Sequence, residues 1–116
     1  NAHIPVALAT STAQASVLKE LKDAGIRDYF DQVICGDMVS HSKPHPEIFL
    51  TACAALGAKP EKTIVIEDSY NGIRAAHAGG MMPVMVPDML QPTEEIEKMT
   101  IAVCESLLVV KENIGL

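Results

Sequence analysis

The sequence predicts an α/β fold, a Rossmann-like, doubly wound and mostly parallel sheet, on two observations. Short aliphatic runs alternate along the chain with stretches whose apolar residues recur at helical spacing, and three of those stretches stop at a glycine, at Gly25, Gly57 and Gly79-Gly80. A strand, a helix and a second strand in succession make a parallel crossover unit, and the alternation continues to the end of the chain.

Ile4 to Ala9 is the first strand, with Pro5 near its start, where no ladder bond is required, and it ends in Thr10-Ser11-Thr12. From Ala13 onward Val17, Leu18, Leu21 and Ala24 fall on one face of a helix, with Ser11 and Gln14 as a capping-box start and Gly25 as the stop. Gln32 to Cys35 is the second strand, closed by Gly36-Asp37. A polar connector from Asp37 to Pro46 follows; Pro44 drives Lys43 towards an extended backbone, and Pro46 suits the first position of the next helix. Ile48, Phe49, Ala52, Cys53 and Leu56 give that helix an apolar face. Thr63 to Ile66 reads as a buried strand running into Glu67 and Asp68. Asn71 to Ala78 is a short, Ala-rich helix, Pro83 to Val86 a strand, and Thr93 to Met99 an acidic surface turn or helix. Ile101 to Val103 makes a weak last strand, and Ser106 caps a final helix through Asn113.

A chain of 116 residues is one domain, residues 1–116. Hydrophobic residues at 48% and charged residues at 21% exclude disorder, and aromatics at 3% leave the core to Val, Ile, Leu, Ala and Met. A net charge of −6 excludes nucleic acid as a partner, because a phosphate backbone demands a basic footprint; a small anion held by one or two local cations stays possible. Cys35, Cys53 and Cys104 are odd in number, far apart and set in apolar runs, so they read as buried thiols of a reducing, cytoplasmic compartment. No run approaches the ~18 to 20 apolar residues of a membrane span, so no membrane partner is expected.

Three strand ends could carry chemistry. Glu67 and Asp68 are adjacent carboxylates, which repel unless a cation neutralises them; Mg²⁺ is the natural one, since it takes one or two carboxylates and keeps its other positions for water and phosphate oxygens. Thr10 to Thr12 offers hydroxyls and unpaired N–H groups at a helix start, an anion site, and Lys43 adds a cation. Together they make a phosphate cradle without a nucleophile, and phosphoryl transfer is catalysed largely by positioning and charge stabilisation. His41 and His45 lie on a Pro-rich connector, where solvation is the expected role. On the residues alone the alternative stays open: a non-catalytic α/β module that binds a phosphate-bearing ligand or a partner chain.

Ala9-Thr10-Ser11-Thr12 after a strand, Ser42-Lys43-Pro44-x-Pro46-x-x-Phe49, and Ile66-Glu67-Asp68-Ser69-x-x-Gly72-Ile73-x-Ala75-Ala76 resemble the haloacid dehalogenase-like phosphohydrolases, most nearly the β-phosphoglucomutase-like branch. The resemblance implies that Thr10, with the N–H of Ser11, holds the transferring phosphoryl group. It also implies that Lys43 pairs with the phosphate and the nucleophile, and that Asp68, with Glu67 beside it, ligates Mg²⁺. It implies a phosphatase or phosphomutase acting on a small phosphorylated metabolite, a sugar phosphate, through an aspartyl-phosphate. The family's Asp-x-Asp nucleophile motif is absent, as is its substrate-selecting cap. The chain is therefore expected to be the C-terminal part of the core domain, lacking the first strand, with the N-terminal segment of the same parent protein as its partner.

Overall fold

Among the described residues each aliphatic run becomes a strand and each helical periodicity a helix. In chain order they are β1 (Ala7–Ala9), α1 (Gln14–Ala24), β2 (Gln32–Ile34), α2 (Glu47–Leu56), β3 (Ile64–Glu67), α3 (Tyr70–Ala78), β4 (Met82–Met85), α4 (Glu94–Met99) and β5 (Ala102–Val103), with short 3-10 turns at Arg27–Tyr29, Gly36–Met38 and Pro60–Lys62. The computed structural model describes residues 4–87 and 91–104; the helix expected from Ser106 to Asn113 lies outside them.

All strand pairings are parallel, as the crossover pattern requires, and the sheet comes in two pieces. β1 pairs with β2, Leu8 opposite Val33, while β3, β4 and β5 pair in that order, Val65 opposite Pro83 and Val84 opposite Ala102. Among the described residues β1 and β3 are edge strands of their pieces, as are β2 and β5. One core nevertheless joins the pieces: Ile34 packs with Ile48, Phe49, Ala52 and Cys53 of α2, with Val65 of β3, and with Ala75 and Ala76 of α3, and Ala7 and Ala9 lean on it. Strand alternation sends Leu8 and Val33 to the opposite face, where they pack against Val17 and Leu21 of α1. Helices therefore cover both faces of β1–β2, the doubly wound arrangement.

Four local expectations are corrected. The first strand is shorter than Ile4 to Ala9: Val6 donates its N–H to Asp31 Oδ2 at 2.8 Å and accepts the Asp31 N–H at 2.7 Å, which leaves Ala7–Ala9 as the ladder. Ser11 does not cap α1; its N-cap is Ala13, and the Gln14 N–H finds Asp37 Oδ1 at 3.1 Å, because the turn after β2 returns to the helix start. Pro46 is the N-cap of α2, with Glu47 as the first helical residue. Ile66 is 45% exposed, whereas Val65 is buried: alternation turns Ile66 away from the α2–α3 core, at the free edge of its sheet. The glycine stops behave as expected, Gly25 at φ 71° and Gly57 at φ 68°, left-handed conformations that a Cβ disfavours. Cys35, Cys53 and Cys104 are buried and none is in a disulfide. No helix of the described residues is long and apolar enough to cross a membrane.

Candidate functional site

The turn after β1 is held by the end of β2. Thr10 N–H donates to the Ile34 carbonyl and Gly36 N–H to the Thr12 carbonyl, both at 3.0 Å. Thr12 N–H donates to Thr10 Oγ1 at 3.2 Å. That bond occupies a lone pair of the Thr10 hydroxyl and leaves its proton to be donated elsewhere. Among the described residues no acceptor faces the Ser11 N–H. A donor pair with its backbone fixed is what an anion site needs.

Lys43 leaves the connector in a turn closed by the His45 N–H on the Ser42 carbonyl at 3.0 Å, with a cis Lys43–Pro44 peptide. Its ammonium lies 2.7 Å from Glu67 Oε2 and 4.9 Å from the centre of the Phe49 ring. The two side chains of the ion pair are only 13% and 11% exposed. Phe49 is buried on α2, so the helix that follows the Lys-Pro turn supplies the aromatic face under its own cation. This contact also brings the connector that follows β2 to the carboxyl end of β3.

Glu67 Oε1 accepts the N–H of Asp68 at 3.2 Å, the N–H of Ser69 at 3.4 Å and the Ser69 hydroxyl at 3.2 Å; Ser69 Oγ in turn caps α3 by accepting the Gly72 N–H at 3.0 Å. Burial by itself pushes the Glu67 carboxyl up. The hydrogen bond and charge of Lys43, joined by the two backbone N–H groups, outweigh it and hold the group below its ordinary value. A carboxyl whose folded pKa is depressed stabilises the fold above the unfolded Glu value of ~4.3 and loses that contribution as pH falls through the folded value. Thermal melts without divalent cations should therefore drop more steeply below about pH 4 for the wild type than for Glu67→Gln; parallel profiles would contradict the pairing.

Asp68 is exposed and no side-chain partner engages its carboxylate among the described residues. Glu67 Oε2 accepts one hydrogen bond and keeps a lone pair. Hard oxygen donors of this kind fit Mg²⁺ as part of a shell. No group of three or more His, Cys, Asp or Glu able to hold a metal occurs among the described residues. His41 and His45 instead stack, ring centres 4.6 Å apart, and both serve Glu47: His41 Nδ1 lies 3.3 Å from its Oε1, and His45 Nδ1 accepts its N–H at 3.1 Å. Burial, helped by the charge of Asp37, pushes the Cys35 thiol up.

Of the residues singled out from sequence, the fold brings Lys43 and Glu67 into contact, leaves Asp68 exposed with its N–H on Glu67 Oε1, and places Thr10 and Ser11 on the turn at the end of β1. Sequence reasoning missed four supporting residues. Phe49 was read only as part of the apolar face of its helix and not as a partner of Lys43; Gly36 braces the Thr10 turn and Asp37 the helix start after it; and Gly72 leaves room for Glu67, since a Cβ there would lie 2.1 Å from the Glu67 Cγ and Cδ.

The chain is 44% identical over 78 residues to a phosphorylated carbohydrates phosphatase of Thermotoga maritima, covering 67% of this chain and 36% of that protein. It is 40% identical over 82 residues to the Escherichia coli fructose-1-phosphate phosphatase YqaB, covering 71% of this chain and 44% of that protein. The crystal structure of a β-phosphoglucomutase from Clostridium difficile superposes with a TM-score of 0.75 at 29% identity, over 97% of this chain and 49% of that one. The chain thus spans less than half the length of these relatives. Residues 1–86 match the family described as haloacid dehalogenase-like hydrolase, and the chain belongs to that family.

Proposed function

We propose that this chain supplies the phosphate-holding half of a Mg²⁺-dependent phosphatase or phosphomutase acting on a small phosphorylated metabolite, a sugar phosphate. The observation that carries the reading is the Lys43–Glu67 pair, a shielded cation held at the carboxyl end of β3, where the exposed Asp68 follows Glu67 in the chain. Open α/β sheets bind ligands beyond the carboxyl ends of their strands. In this reading Thr10 and Lys43 are the catalytic residues of the chain. The Thr10 hydroxyl and the Ser11 N–H orient the phosphoryl oxygens, and Lys43 stabilises the charge that they gather. Asp68, with Glu67 beside it, would hold Mg²⁺, which when bound screens the charge of the phosphoryl group. The sugar-phosphate class is taken from the names of the two curated relatives.

The nucleophile is an aspartate outside this chain, which becomes the aspartyl-phosphate. We place it at the end of a strand from the N-terminal segment of the same parent protein, seated between β1 and β3. Two features support that seat: among the described residues β1 and β3 are both edge strands, and Ile4, Val6 and Ile66 around them are exposed apolar side chains that added structure would cover.

The test is phosphate release from a panel of sugar phosphates by the intact protein, with and without Mg²⁺. Release that needs Mg²⁺ is expected. Binding of the same compounds with no turnover would favour the non-catalytic module instead.

A further inference from the structure

We infer that Asp37 is a positioning residue for the phosphate turn: by capping α1 from the neighbouring strand end, it fixes Thr10 and Ser11 in the orientation that grips an anion. The inference rests on the reading of that turn given above. α1 begins immediately after Thr10-Ser11-Thr12, yet none of their side chains caps it and its first turn contains no acidic residue. The cap arrives from 23 residues away, as the Gln14 N–H on Asp37 Oδ1 at 3.1 Å. One residue earlier, Gly36 donates its N–H to the Thr12 carbonyl at 3.0 Å. Gly36 also lies so close to the turn that a Cβ there would sit 2.1 Å from the Ser11 carbonyl oxygen. The 3-10 turn Gly36–Met38 thus grips two sites in succession, the phosphate turn through the Gly36 N–H on Thr12 and the helix start that follows it through the Asp37 carboxylate on Gln14.

The charge of Asp37 works against an anion at the same helix end, where the dipole would otherwise attract one. Position and charge therefore predict opposite signs. If Asp37 acts by position, losing its oxygen weakens phosphate binding; if it acts by charge alone, losing it strengthens binding.

Inorganic phosphate titrated calorimetrically into the intact protein separates the two. Asp37→Ala is expected to weaken phosphate binding about tenfold, and Asp37→Asn, which keeps the accepting oxygen and removes the charge, to bind as tightly as the wild type or tighter. Gln14→Pro removes the donor from the other side. Proline suits the first helical position, and Ala13 already has the extended ψ of 149° that a following proline needs, so α1 stays intact. It should weaken binding as Asp37→Ala does, with no further loss in the double variant, and it decides the matter even where Asp37→Ala fails to fold. Unchanged binding in Gln14→Pro, or equal weakening in Asp37→Asn and Asp37→Ala, would overturn the positioning role. Wild-type protein that binds no phosphate, or binding that survives Thr10→Ala, would sink the phosphate turn itself and the positioning with it.

Discussion

Lys43→Ala is expected to lower the phosphoryl-transfer rate of the intact protein by about 10²- to 10³-fold, the usual cost of deleting a preorganised stabiliser of transition-state charge. Three contacts make this lysine preorganised: the turn that carries it, the Phe49 face 4.9 Å from its ammonium, and Glu67 at 2.7 Å. A cation so shielded acts in a lower dielectric than a surface lysine, and its field falls on whatever anion enters beside it. Lys62, exposed at the end of the Pro60–Lys62 turn, serves as the internal control, and Lys62→Ala should leave the rate within about twofold. Removing Lys43 also leaves the Glu67 carboxylate nearly buried without its cation, which should cost about 1 to 3 kcal/mol of stability. The rates are therefore to be compared at a temperature where melts show both variants folded. Equal, small losses for the two lysines would remove Lys43 from the site.

Gly72→Ala should destabilise the fold by about 2 kcal/mol, although alanine is the better helix former by about 1 kcal/mol. Gly72 is the third residue of α3 and is buried, and the space above its Cα is filled by the Glu67 side chain. That side chain cannot swing away freely, because both of its oxygens are engaged, one by Lys43 and the other by Asp68 and Ser69. Helix propensity and site geometry thus predict opposite signs, and a thermal melt reads the difference as a fall of roughly 10 °C or a rise of a few degrees. In a Glu67→Ala background the clash is gone and the alanine should cost nothing. That non-additivity assigns the loss to Glu67 and not to the helix.

Much of the fold was legible because its signals are local. Apolar runs, helical spacing and glycine stops lie within a few residues of each other, and together they yielded the order of elements, the parallel crossovers and the double winding. The errors fall where a distant residue decides a local question. Ser11 has the chemistry of an N-cap, but Asp37 takes that place, and nothing near Ser11 in sequence announces it. Thr63 to Ile66 reads as uniformly apolar, yet Ile66 is exposed because alternation turns it to the face opposite the α2–α3 core that buries Val65, and composition does not say which face is covered. At the site, the residues marked Lys43 and Glu67 separately, and the family resemblance assigned the lysine to a phosphate and a nucleophile. Their pairing with each other, on a ring supplied by Phe49, depends on how the connector after β2 crosses to β3. Gly72 was legible as part of a motif, but its reason for being glycine is the path of the Glu67 side chain.

The central claim is that the turn after β1 and the end of β3 form one phosphate cradle. Its most direct test is a crystal structure of the intact protein with inorganic phosphate and Mg²⁺ bound. The account predicts phosphate oxygens within about 2.7 to 3.2 Å of Thr10 Oγ1, the Ser11 nitrogen and Lys43 Nζ, with the cation on Asp68. A phosphate held elsewhere, with Thr10 and Lys43 opening onto different faces of the sheet, would contradict it.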